Sequence, residues 1–301
     1  MLPDMATPRL RRQPAPILLA LGAIALWATL AAFGLALSRV PPFLLTGLAL
    51  LVGSLIAWPL SGFRLSRWKV PLSTLALGVY GLFGFHFLLF LALRHAPPVQ
   101  ANLVNYLWPL LMVVLAPVFL PGLTLRPVHM GAALLGFAGA ALVVLGGPEA
   151  LNSAKAVSGG AVWSWTWGYL PALGSAFIWA SYSLMTKRVA AFPTSAIGGF
   201  ALVSGLLSLL CHGLLEPSVS LSGRDWLLIV AMGLGPMGAA FFLWDKALKQ
   251  GDARQIGILS YLTPLASTAL LVAVSGRAFT WNIALAAAMI VGAALLGTRR
   301  Y

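Results

Sequence analysis

Apolar residues run along the chain in blocks of about 20, separated by short clusters of proline, glycine and charge. A helix needs roughly 20 apolar residues to cross ~30 Å of hydrocarbon. Ten blocks meet that length, at approximately 14–37, 42–60, 72–94, 98–120, 127–146, 165–188, 194–214, 225–248, 254–275 and 280–298. The breaks between them are segments such as "RVPP" from 39, "SGFRLSRWKVP" from 61, "PGLTLRP" from 121, "EPSVSLSGRD" from 216 and "KQGDAR" from 249. Proline lacks the backbone donor and glycine is permissive, so such clusters end helices. The first block exceeds the ~7–15 residues of a signal-peptide core, and no small-residue cleavage site follows it, so it reads as a membrane helix.

The blocks fall into two copies. Residues 18–28, "LLALGAIALWA", align without a gap on residues 170–180, "LPALGSAFIWA", an offset of 152 that carries Trp27 onto Trp179 and Gly47 onto Gly199. Further along each copy the offset is 155, and Gln100, Leu103, Tyr106 and Pro109 fall on Gln255, Ile258, Tyr261 and Pro264. Each copy holds five helices, an odd number, so the second must enter the membrane upside down. The predicted fold is therefore an all-α integral membrane protein, ten transmembrane helices as two inverted five-helix repeats. The repeats cover 14–146 and 165–298, with a cytoplasmic N-terminal tail over 1–13, a periplasmic linker over 147–164 and a cytoplasmic C-terminal tail over 299–301. Inverted repeats give secondary transporters two nearly equivalent conformations around a site near the bilayer midplane.

Composition agrees with a membrane protein, at 60% hydrophobic and 8% charged residues. The formal net charge of +13 brings nucleic acid to mind, but the 19 Lys and Arg are scattered between apolar runs and form no basic face. Topology accounts for them instead. Placing the N-terminus inside puts 14 of them, among them Arg9, Arg64, Arg126, Lys187, Lys249 and Arg299, on the cytoplasmic side, against Arg39, Arg94, Lys155, Arg224 and Arg277 outside. A plasma (inner) membrane location with both termini cytoplasmic follows. Cys211 is the chain's one cysteine, which excludes an intrachain disulfide.

Polar side chains in these spans are costly against lipid and should face the bundle interior. In "QANLVNYLWP", residues 100–109, these are Asn102, Asn105 and Tyr106, with Trp108 beside Pro109; in "QIGILSYLTP", residues 255–264, they are Gln255, Ser260 and Tyr261, beside Pro264. Two jobs are open to them, interhelical hydrogen bonds of ~0.6–2 kcal/mol each or contact with a substrate. The two prolines free backbone carbonyls and let a helix bend, a hinge for a rocking half. In the third helix Tyr80, Phe83, Phe87 and Phe90 recur at spacings of three and four, with His86 close to that face, forming either a packed stripe or a cavity wall. The eighth helix brings Phe241, Trp244, Asp245 and Lys246 together, with Lys249 placed to pair with Asp245. Trp163, Trp165, Trp167 and Tyr169 read as an interfacial aromatic belt.

The two five-helix halves, the "LGAIALWA" and "LGSAFIWA" openings and the repeated "Q…YL.P" pattern resemble the EamA-type family of the drug/metabolite transporter superfamily. Within it, "NYLWP" following "GFHFLLFLALRHA" is similar to the YddG-type branch, whose members export aromatic amino acids. The resemblance implies an exporter working by alternating access. Many EamA domains carry a glutamate after the fourth helix of each half, where this chain reads "FLPGLTLRP" and "AVSGRAFTW", so no role can be carried over for it.

The lining residues restrict the substrate. A phosphorylated cargo calls for buried Lys or Arg, and Lys246 is the one basic residue near the membrane interior; a cationic drug calls for a buried carboxylate, and Asp245 is the one at hand. What remains suits a neutral or zwitterionic small molecule with an apolar body, such as an aromatic amino acid, with other amino acids or drug-like compounds as the alternative and a non-transporting scaffold as the other class. The expected substrate-binding set is Tyr80, Phe83, His86, Phe87, Asn102, Asn105, Tyr106, Trp108, Trp179, Trp244 and Gln255, with Pro109 and Pro264 as hinges. The histidines, at 86, 95, 129 and 212, have no metal-ligand spacing, and no nucleophile–base set is evident, so neither an enzyme nor a cofactor is expected.

Overall fold

A computed structural model describes residues 16–146, 167–275 and 281–298. The proposed tails, the linker, Trp163 and Trp165 lie outside the described residues. Those described form nine helices long and apolar enough to cross a membrane and a tenth, α6, of 17 residues: α1 Pro16–Ala36, α2 Pro42–Leu60, α3 Leu72–His95, α4 Pro98–Phe119, α5 Pro127–Leu145, α6 Tyr169–Met185, α7 Thr194–Leu215, α8 Gly223–Gln250, α9 Ala253–Ala273 and α10 Trp281–Thr298. Proline opens α1, α2, α4 and α5, where its missing N–H is not needed and its fixed φ already suits a helix. A capping box starts α8, with Ser222 and Asp225 each satisfying the other's backbone N–H.

Neighbour relations obey the repeat. α1 lies against α8 and α9, and its mate α6 lies against α3 and α4; α2 packs on its own mate α7, and α5 on its own mate α10. α2 and α7 approach at Gly47 and Gly205, where a Cβ on Gly205 would sit 3.0 Å from the Gly47 carbonyl oxygen. Small residues permit such close approach, and dispersion then holds the helices where lipid offers no hydrophobic drive.

Both third helices carry the same irregularity. A π-helical turn occupies Tyr80–Gly84 in α3 and Gly235–Ala239 in α8, and these segments are related by the offset of 155. The fourth helices also break within one residue of matched positions, α4 at Tyr106–Leu107 and α9 at Ser260–Tyr261, just ahead of Pro109 and Pro264. π-turns and prolines are identifiable causes of bending, and here each half has one π-turn in its third helix and a proline just after the break in its fourth.

The two ends of the bundle differ. Repeat mates 85–95 of α3 and 240–250 of α8 run toward opposite ends, yet in α3 this stretch buries His86 and Ala92 alone, whereas α8 buries Ala240, Phe241, Phe242, Trp244, Asp245, Ala247 and Leu248. Likewise Leu30–Ala36 of α1 contains no buried residue, while its mates Tyr182, Ser183, Leu184 and Thr186 in and after α6 are all buried. The end where α6 and α8 finish is the more closed by burial; the end where α1 and α3 finish is looser in its side-chain packing, although Arg39 of the first half pairs there with Asp225 of the second.

Candidate functional site

The middle of the molecule is aromatic. Trp27 of α1 and its mate Trp179 of α6 meet edge to face with centroids 5.7 Å apart. Trp244 of α8 lies 5.1 Å from Trp27, Trp108 of α4 lies 5.7 Å from Trp244, and Phe85 of α3 lies 5.5 Å from Trp179. Phe241 and Tyr182 complete the cluster at 5.8 and 5.5 Å from Trp179. Five helices drawn from both halves thus converge on one group of rings, and each edge-to-face pair adds about 0.5–1.5 kcal/mol beyond its burial. Trp27, Trp108, Trp179 and Trp244 are all buried.

α6 organises this centre through serines. Ser175 Oγ lies 2.8 Å from Asn105 Oδ1, Ser181 Oγ lies 2.8 Å from the Tyr80 hydroxyl, and Trp244 Nε1 donates to Ser183 Oγ at 3.1 Å. Each bond ties α6 to a different neighbour, α4, α3 or α8. Asn105 and Tyr80 are thus engaged in interhelical hydrogen bonds. Sequence reasoning passed over Ser175, Ser181 and Ser183, although their spacing along "SAFIWASYS" already places polar atoms throughout an apolar helix.

The third-helix stripe divides. Tyr80 turns to α6, whereas Phe87 and Phe90 close on Phe43 of α2, at 5.8 and 5.3 Å, and Phe83 stacks on Phe87 at 5.7 Å. The π-turn at Tyr80–Gly84 is the reason, since its extra residue rotates the helix face by roughly 100°. His86 sits between the two groups, 5.0 Å from the Phe85 ring and 6.0 Å from Phe90. Its Nδ1 is 2.6 Å from the Leu82 carbonyl oxygen. A carbonyl only accepts, so Nδ1 carries the proton and Nε2 of the neutral ring is an acceptor.

Other expected residues lie elsewhere. Asn102 and Tyr106 are half-buried on the first segment of α4 and at its break. Gln255 is half-buried in the first turn of α9 at the closed end, beside Arg254. Pro109 and Pro264 are buried in the first turns of the segments that follow the two breaks. In the expected aromatic belt, Trp167 is exposed and stacks on His95 at 4.1 Å, but Tyr169 turns inward and is buried beside Ala92, Ala96 and Ala101. The belt reading fails for Tyr169 because the chain there is already the first turn of α6, pressed against α3 and α4.

The closed end is fastened by polar ties. Lys187 donates to the carbonyls of Leu248 and Gly251, both at 2.6 Å, and Arg254 bridges from α9 to the Thr124 carbonyl at 2.5 Å. Burial lowers the Lys187 pKa, opposed by the Asp252 carboxylate. Burial pulls Asp252 upward, but hydrogen bonds and charge from Arg254 outweigh it and hold the carboxyl below its usual range. Among the described residues no cluster of His, Cys, Asp and Glu suits a metal ion.

Ten membrane helices in two repeats, closed at one end around an aromatic centre, define an integral membrane transporter. The chain belongs to the EamA-like transporter family, whose model matches it twice, over residues 14–145 and 166–299. A relative from Ancylobacter novellus, described as aromatic amino acid exporter YddG, is 45% identical over 279 residues, covering 92% of this chain and 94% of its own. A Salmonella typhimurium protein with the same description is 31% identical and covers 69% and 70% of the two chains. A crystal structure at 42% sequence identity superposes with a TM-score of 0.83, covering 94% of this chain and 97% of that one.

Proposed function

We propose that this transporter exports aromatic amino acids and related neutral metabolites by alternating access, its two repeats, 14–146 and 165–298, exchanging conformations about the tryptophan cluster. The observation that carries this reading is the meeting of Trp27, Trp108, Trp179 and Trp244 from both halves, with Phe85 bridging from Trp179 to His86. The relatives described as aromatic amino acid exporters support it. In this reading Phe83, Phe87 and the tryptophans receive the ring of the substrate, and His86 Nε2 accepts from its ammonium group. Tyr80 and Asn105 position α3 and α4 through α6, Asn102 and Tyr106 line α4, and Gln255 acts where the path reaches the closed end. Pro109 and Pro264 are the hinges.

The charge distribution supports an inner-membrane orientation with both termini cytoplasmic, because the closed end carries Arg64, Arg67, Lys69, Arg126, Lys187, Arg188, Lys249 and Arg254. The loosened end then faces outward. The test is counterflow of labelled phenylalanine and tryptophan in proteoliposomes, with threonine and a choline-like cation as comparison substrates. Saturable aromatic counterflow is expected; flux of a comparison substrate in its place would overturn the aromatic assignment. His86→Ala should lower aromatic flux about tenfold, the scale of one lost hydrogen bond to a charged group, with insertion intact. Gln255→Ala should lower it less. Undiminished flux in His86→Ala would remove the histidine from the site.

A further inference from the structure

The offset of 155 that relates α3 to α8 also relates Arg94 to Lys249, the basic residues near the two C-termini. The surroundings of each have the same three parts. Lys249 Nζ lies 2.6 Å from Asp245 Oδ2, 2.9 Å from the Phe192 carbonyl and 3.9 Å from the centroid of the Phe192 ring. Asp245 Oδ2 also accepts from Thr194 Oγ1 at 2.6 Å. Phe192 and Thr194 lead into α7, so the lysine and its carboxylate fasten the end of α8 to the start of α7. At the other end Arg94 lies 3.5 Å from Glu216 Oε1 and 6.0 Å from the Phe43 ring. Phe43 stands at the start of α2, the mate of α7. Glu216 accepts from the backbone N–H groups of Phe43 at 3.0 Å and Leu44 at 3.2 Å, and from His212 Nδ1 at 3.0 Å.

A cation at the end of the third helix, a ring at the start of the second and a buried carboxylate thus occur twice, at opposite ends, although only the cations are repeat mates: Asp245 stands one turn before Lys249 on α8 itself, whereas Glu216 follows α7, in the half opposite Arg94. They are not equally engaged. The lysine side chain is 27% exposed and in full contact; the arginine is 44% exposed and at the limit of hydrogen bonding. Asp245 and Glu216 are both nearly fully buried, so each carboxylate waits in place and the cation is the part that engages or slackens. The tight member lies at the closed end and the slack one at the loosened end, the same asymmetry that the helix halves show.

We propose that Lys249 and Arg94 are reciprocal gate latches. Lys249 holds the closed end shut on Asp245 and Phe192 in the state described here. In the alternate state Arg94 closes on Glu216 and Phe43 while Lys249 lets go. The two latches oppose each other from opposite ends of the bundle. Their difference in strength sets the resting population. This rests on the alternating-access reading above.

Spin-label distances across each end test the latches directly. Label pairs are placed at Leu125 and Ala191 for the closed end and at Leu35 and Ser218 for the loosened end, in a Cys211→Ala background. All four sites are exposed, and each pair spans the two halves. Lys249→Gln should raise the long-distance fraction at Leu125–Ala191 about fivefold, the scale of one partly buried ion pair, and shorten Leu35–Ser218 in step. Arg94→Gln should do the reverse, and Lys249→Arg should restore the wild-type distribution. Asp245→Asn removes the same latch from the other side and serves if Lys249→Gln does not fold. A structural role alone would lower the melting temperature in both variants without opposite shifts, and shifts of the same sign, or none, overturn the proposal. Wild-type distances that never vary in opposition overturn alternating access itself. Absent aromatic counterflow with opposed shifts intact overturns only the substrate assignment.

Discussion

Gly53→Ala is expected to destabilise the protein by about 1–3 kcal/mol, the usual cost of forcing a methyl group into a filled interior, and Gly238→Ala by at least as much. A Cβ on Gly53 would stand 2.7 Å from the Met237 carbonyl oxygen, 2.9 Å from that of Gly233 and 2.9 Å from the Gly238 Cα. These are backbone atoms, which cannot step aside as a side-chain tip can. Relief requires moving α2 bodily away from α8. At Gly238, inside the π-turn, the added atom would collide with the carbonyl of Gly233, just before the turn, so a side chain there contests the turn itself. Gly213 is the control, since nothing lies within 4 Å of an added Cβ there, and Gly213→Ala should melt within ~0.5 kcal/mol of wild type. Thermal unfolding in detergent, followed by tryptophan fluorescence, gives the comparison. A wild-type melting temperature for Gly53→Ala would mean that α2 and α8 do not cross as closely as described.

These glycines mark the limit of what the sequence discloses. Spans were legible because hydrocarbon demands a fixed length of apolar helix. The repeat was legible because Trp27 and Gly47 recur at an offset of 152 and Tyr106 and Pro109 at an offset of 155, and the odd number of helices per copy fixed the inversion. The paired π-turns were not, because a π-turn inserts one residue without changing which residue types are apolar. That insertion is why Tyr80 parts from Phe83 and Phe87, which a uniform helical spacing groups on one face. The tryptophan cluster was half legible. Trp27 and Trp179 announce themselves as repeat mates, but the arrival of Trp108 and Trp244 beside them depends on how α4 and α8 pack, which spacing along one helix does not encode.

The repeat also explains where the chemistry sits. His86, Asn102, Asn105 and Trp108 lie in the first half, and the same offset of 155 places Phe241, Gly257, Ser260 and Thr263 opposite them in the second. The halves therefore share the bending devices while differing in their polar side chains. Motion needs the symmetry and recognition does not.

Trp179→Ala should have the largest effect on transport. Truncating a buried tryptophan costs about 3–5 kcal/mol, and Trp179 touches Trp27, Phe85, Trp108, Tyr182, Phe241 and Trp244, so the void would open at the crossing of five helices. Aromatic flux should fall by about two orders of magnitude, the scale of about 2.7 kcal/mol added to the transport barrier. Stability and transport are separable through Trp179→Phe, which keeps an aromatic ring and loses part of the volume. It should melt near wild type, with maximal flux falling more than apparent affinity. The reason lies in symmetry. Trp27 and Trp179 are repeat mates in mutual contact, so they lie on the pseudo-two-fold axis, and exchanging the halves leaves that pair in place. A defect there weakens both end states and the passage between them. His86 has Phe241 as its mate, and its loss should appear chiefly in apparent affinity. If Trp179→Phe altered affinity alone and spared maximal flux, the pair would be a binding wall rather than the pivot about which the halves turn.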